Sequence, residues 1–180
     1  DLRNGQNFSG SSMGYFTKRI ARFELIRGAD ITAVEGRMGD VPALQTTAPG
    51  DGLLVILHQT APTRLTYATW DKFQAFADHK DFPDIRARHQ ARDLPEAGFS
   101  EIYTRFVKAL VAVGSGAGAD QNHGMETEFV ALANPYTDDL TQGLPVQLFY
   151  MGHPRGDAQV EVFERDADGL VKIIRGFGGK

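Results

Sequence analysis

The sequence predicts a mainly β protein: two β-domains, the second a β-sandwich, with a small helical insert. Two observations lead to it. Val146, Leu148 and Tyr150 alternate with Gln147, Phe149 and Met151, and Val160 and Val162 resume the alternation against Gln159, Glu161 and Phe163, the period-2 pattern of strands. The joining residues Gly152, His153, Pro154, Arg155, Gly156 and Asp157 supply turn chemistry, and a second turn at Asp168-Gly169 precedes a third run at residues 170–177. Together these predict a β-meander. The other observation is the apolar run at residues 53–58, which follows Pro49-Gly50-Asp51-Gly52 and has the length and the Val and Ile content of a buried strand.

Taken in order, residues 4–12 read as turn and loop, and residues 19–27 as a strand with Phe23 and Leu25 on one face. Weaker strands are expected at 31–34 and 41–47, and residues 63–68 as the hairpin partner of 53–58. Trp70, Phe73, Phe76 and Ala77 then fall at helical spacing, with Thr69 placed to cap the first turn. Residues 84–92 suit a surface helix or an irregular segment. Ile102, Tyr103, Phe106, Val107 and Leu110 predict a helix over 101–113, which would set Glu101, Arg105 and Lys108 in a salt-bridge row. The expected plan is a first β-domain over 1–113 with its insert at 70–113, a Gly-rich hinge at 114–125, and a second, incomplete β-domain over 126–180.

The 180 residues carry no cysteine, which excludes disulfides, thiolate metal sites and Cys nucleophiles. A net charge of −4 leaves no electrostatic footprint for nucleic acid, and no apolar run reaches the length of a membrane-spanning helix. The chain opens on Asp1-Leu2-Arg3 without an initiator Met, so it is expected to be a processed or partial product. The Gly114 to Ala119 run fails as a phosphate loop, because no amphipathic helix and no Gly-Lys-Ser/Thr follows it. Arg155-Gly156-Asp157 spells an adhesion tripeptide that ordinary turn residues also produce. No nucleophile elbow or acid–base carboxylate pair stands out, so no enzyme is expected.

The metal candidates are His58, His79, His89 and His123, since imidazole is a ligand for nickel, cobalt, copper and zinc. None pairs with another at a local-site spacing, so a site needs ligands gathered from separate segments. His79 and His89 flank the acidic stretch 78–84, and His123, Met125, Glu126 and Glu128 form a looser cluster.

Several short motifs, in order, resemble a known family. They are Arg3-Asn4-Gly5-Gln6-Asn7-Phe8, Leu65-Thr66-Tyr67 before Trp70-Asp71-Lys72-Phe73, and Glu101-x-Tyr103-x-Arg105-x-x-Lys108-Ala109-Leu110. Glu128-x-Val130, Asn134-Pro135-Tyr136 and Gly152-x-Pro154 before Ala158-x-Val160 complete the set. The family is a bacterial group of secreted proteins described as the periplasmic component of cobalt or nickel uptake systems. The resemblance implies a signal peptide already removed, a periplasmic location, two β-sandwich domains of immunoglobulin-like or transthyretin-like type, and capture of Ni2+ or Co2+ for a membrane transporter. It also implies a metal-binding His close to the mature N-terminus, before the point where this sequence begins. The first expectation is therefore a non-enzymatic periplasmic metal-binding protein. The second is a sandwich module that binds a protein or glycan of the cell envelope without metal.

Overall fold

The run at residues 53–57 forms the centre of a four-stranded antiparallel sheet. In the computed structural model, which describes residues 1–177, the chain divides into two compact units: residues 1–61 with 105–180, and residues 62–104. The first unit holds strands β1 (Arg3–Gln6), β2 (Ser9–Ser12), β3 (Ile20–Arg27), β4 (Asp30–Ala33) and β5 (Gly52–Thr60). The second holds β6 (Thr63–Tyr67), α1 (Trp70–His79), α2 (Ile85–Gln90) and β7 (Phe99–Tyr103). The chain then returns to the first unit with β8 (Phe106–Val113), β9 (Thr127–Ala131), β10 (Val146–Tyr150), β11 (His153–Pro154), β12 (Gln159–Arg165) and β13 (Val171–Phe177). The expected strand at the chain end is β13; residues 178–180 lie outside the described residues.

The main sheet has the order β4-β3-β5-β8. Its faces follow from register, because paired residues share a face and neighbours alternate. Phe23, Leu25 and Leu54 pack on one face with Tyr15, Val34 and Ala43. Ile26, Val55 and Leu57 pack on the other with Met125, Phe106 and Leu110. β5 is thus covered on both sides, which is why it reads as a continuous apolar run rather than an alternating one.

Several expectations are corrected. Residues 101–113 hold strands, not a helix: Phe106 and Leu110, four apart, share a strand face as readily as a helix face, Val107, Val111 and Val113 are β-branched, and β8 pairs with β5 along its whole length. Residues 63–67 pair with β7 rather than with β5. Residues 4–12 form the β1–β2 hairpin, with Asn7 and Phe8 both in the left-handed region that a two-residue turn uses. Residues 41–47 form no strand; Ala43 and Leu44 are core side chains of an irregular segment. Thr69 takes the N-cap position of α1 without a side-chain cap hydrogen bond. The meander forms only in its second half: β12 pairs with β13, while β10 pairs with β9 and with β11, which a tight turn at Met151-Gly152 brings back at once.

The run expected as a hinge lies inside the first unit and is tied down. Ser115 donates from its backbone N and its hydroxyl to the Asp51 carboxylate. Leu53 N donates to the Ala117 carbonyl at 2.8 Å, and the Asn134 amide donates to the carbonyls of Gly116 and Gly118 at 2.9 Å each. Gly114 is required here: its φ of +57° is left-handed, and a Cβ would collide with the Asp51 carboxylate. The glycines serve close approach, not flexibility.

Candidate functional site

The second face of the main sheet carries charge as well as core. The register Glu24↔Leu57↔Lys108 places a carboxylate and an ammonium on either side of a fully buried leucine. Lys108 Nζ lies 2.6 Å from Glu128 Oε1, 3.0 Å from Asp120 Oδ1 and 3.0 Å from the Gln121 carbonyl, to which it donates. The three side chains are 8 %, 1 % and 0 % exposed in the order Lys108, Asp120, Glu128. Backbone donors fill the remaining lone pairs. Asp120 accepts from Gln121 N and Ala131 N, and Glu128 accepts from His123 N and Met125 N. Arg22, paired with Glu24 at 2.7 Å, donates to the His123 carbonyl.

This cluster is a clamp. It fixes residues 120–128 over the sheet and starts β9, and its oxygens have no vacancy for a substrate or a cation, because the protein's own ammonium fills that place. Burial pushes the Glu128 carboxyl up, but the Lys108 ammonium and the His123 and Met125 N–H groups outweigh it and hold it below the usual carboxylate value.

The histidines fall apart into different environments. His58, on β5, pairs in register with Phe23 and Val107, and its ring meets Phe23 edge-on at 5.0 Å. His123 Nε2 lies 3.7 Å from Asp120 Oδ1, on the Lys108 face. The sheet therefore separates His58 from His123, so they cannot share an ion. In the second unit, His89 is buried among Trp70, Phe73 and Phe99, 4.5 Å from the Phe99 ring centroid, with Nε2 on the Pro95 carbonyl at 2.9 Å. The acidic stretch lines a surface recess of about 650 Å³ with Asp78, Asp81, Phe82 and Asp84, and neither His79 nor His89 is part of its lining. Among the described residues no three His, Asp or Glu side chains form a metal-holding group. Two buried imidazole nitrogens, His58 Nδ1 and His123 Nε2, have no hydrogen-bond partner.

The other feature is a surface. In the β11-β10-β9 sheet, Glu128 and Val130 point inward and are 2 % and 6 % exposed. The opposite face holds the register pairs Phe129↔Leu148, Ala131↔Val146 and Thr127↔Tyr150. Phe129, Val146 and Tyr150 there are 43 %, 48 % and 38 % exposed, and Leu148 between them is half-buried. Arg155 lies over the Tyr150 ring at 5.3 Å, so the adhesion-like tripeptide begins at the rim of this face. The sequence signal for this face was the alternation of residues 146–150; that the exposed set is the apolar one needed the pairing with β9.

A family profile, the domain of unknown function DUF4198, matches residues 1–175. The chain belongs to that family. No curated protein and no solved structure matches this DUF4198 chain. No helix among its described residues is long and apolar enough to cross a membrane.

The pKa directions give a testable acid response for this DUF4198 chain. Burial depresses the His58 imidazole, and burial with the Lys108 charge depresses His123. A depressed imidazole makes the unfolded state bind more protons, so stability is full above about pH 6.5 and falls as pH drops toward the folded value. Glu128 adds a second loss below its ordinary carboxylate range, as pH falls through its lowered folded value. Urea midpoints are expected to drop between pH 7 and pH 5 and again below pH 4.5, and His58→Phe to flatten the first drop. Midpoints constant from pH 7 to pH 5 would contradict this assignment.

Proposed function

We propose that this chain is a non-catalytic binding module of the cell envelope that docks a protein or glycan on the outward face of the β9–β10 sheet. The observation that carries the reading is the contiguous strip of Phe129, Val146, Leu148 and Tyr150 in register on a sheet whose inner face is already packed. Aromatic and aliphatic side chains held on rigid strands contact a partner with little loss of side-chain freedom, and apolar patches of this kind mark interaction surfaces. The periplasmic location and the β-sandwich architecture belong to the proposal; the resemblance to secreted proteins supports the first, and the two-sided burial of β5 supports the second. Replacing Phe129 and Tyr150 by Ser tests the surface. The double variant is expected to keep its circular dichroism and its urea midpoint while losing most of the fluorescence enhancement of the apolar dye ANS. Undiminished dye binding would contradict the assignment of this strip as the accessible apolar surface.

A second reading is the capture of nickel or cobalt as cargo for a membrane transporter. The two unpartnered buried imidazole nitrogens of His58 and His123 favour it, and their placement on opposite sheet faces weighs against a shared site. Calorimetric titration of nickel(II) at pH 7.5 separates the readings. The docking reading expects no saturable one-site binding; tight binding lost in His123→Gln would establish the metal reading, and that binding should weaken as imidazole protonates toward pH 5.

A further inference from the structure

A recess of about 520 Å³ lies between the β1–β2 hairpin and the end of β12, lined by Asp1, Arg3, Gly5, Phe8, Ser9 and Arg165. We infer that it is a binding site for a small ligand bearing a carboxylate or phosphate group, held by Arg165 with Arg3. This inference does not depend on the docking reading.

The argument starts from Arg165. Its guanidinium lies 4.9 Å from the Phe8 ring centroid, and among the described residues no carboxylate pairs with it. A guanidinium stacked on an aromatic ring is held in place while its N–H edges stay available, the geometry that suits two-point contact with a planar or tetrahedral oxyanion. Phe8 is 50 % exposed and sits at the hairpin tip, so the ring serves as a platform rather than as core. Arg3 supplies the second cation. One of its nitrogens contacts Asp1 Oδ2 at 3.1 Å, and its side chain is 52 % exposed. Two guanidinium groups against one carboxylate leave the recess with positive side-chain charge in a chain of net charge −4. Selectivity for anions over the bulk of the surface follows from that local sign.

The test is titration of the full chain with inorganic phosphate and, separately, with citrate, followed by NMR shifts at constant ionic strength set with sodium chloride. Saturable shifts confined to residues 1–9 and the end of β12 are expected for one or both anions, and which anion binds more tightly assigns the phosphate or the carboxylate class. Arg165→Ala is expected to weaken binding at least about tenfold, because a charge-assisted contact is lost. Arg165→Lys should recover only part, since it restores the charge and not the fork. Arg155→Ala, which removes the guanidinium stacked on Tyr150 elsewhere in the unit, should leave binding unchanged. Shifts that disappear at matched ionic strength, or equal weakening by Arg155→Ala and Arg165→Ala, would overturn the inference.

Discussion

Lys108→Ala is expected to lower the stability of the first unit by about 3–5 kcal/mol, read as a fall in the urea midpoint at unchanged slope. The cost comes from what remains. Asp120 and Glu128 stay buried with exposures of 1 % and 0 %, and the ammonium that compensates both is gone. Their backbone donors on His123, Met125 and Ala131 persist but carry no full charge. The same logic fixes a rescue. Lys108→Met combined with Asp120→Asn and Glu128→Gln removes every full charge of the trio and keeps one acceptor oxygen on each side chain, while each new amide NH2 meets a backbone N–H, so the triple variant should regain only part of the loss. A Lys108→Ala variant within about 0.5 kcal/mol of the parent, the scale of an ordinary surface substitution, would show that the trio is not the clamp described here.

Leu57→Ala is expected to cost about 2–5 kcal/mol. Leu57 is 0 % exposed, sits in the middle of the central strand, and lies in register between Glu24 and Lys108. Truncation removes buried methyl groups and leaves a cavity that the fixed strands on either side cannot close. Because the cavity opens beside the clamp, Leu57→Ala and Lys108→Ala share neighbours and should not add. A cost near that of a surface substitution, with an unchanged slope, would contradict the two-sided burial of β5.

The parts of the fold legible in the sequence are those where one physical signal acts alone. The apolar run of β5, the alternation of β3, β10 and β12, the helical spacing of α1 and the Asp-Gly turn before β13 are of this kind. Residues 101–113 were ambiguous because Phe106 and Leu110, four apart, satisfy both periods, and pairing with β5 decided between them. That ambiguity also hid the clamp. Read as helix, Lys108 belongs to a surface row with Glu101 and Arg105; read as strand, it faces the same side as Phe106 and Leu110 and has to find buried carboxylates. His123 and Glu128 stood out as neighbours in sequence, but their connection runs through a backbone N–H that no side-chain spacing records. The separation of His58 from His123 by the sheet likewise depends on register, not on spacing.

The central claim, that the outward face of β9–β10 is a docking surface, is tested most directly by photo-cross-linking in the cell that produces the protein. A photoreactive residue replaces Phe129 in the full-length protein, with a matched replacement of exposed Lys72 as control. The account expects one discrete adduct from position 129, absent from position 72 and lost when Val146 and Tyr150 are changed to Ser. No adduct from position 129, or the same adducts from both positions, would contradict it.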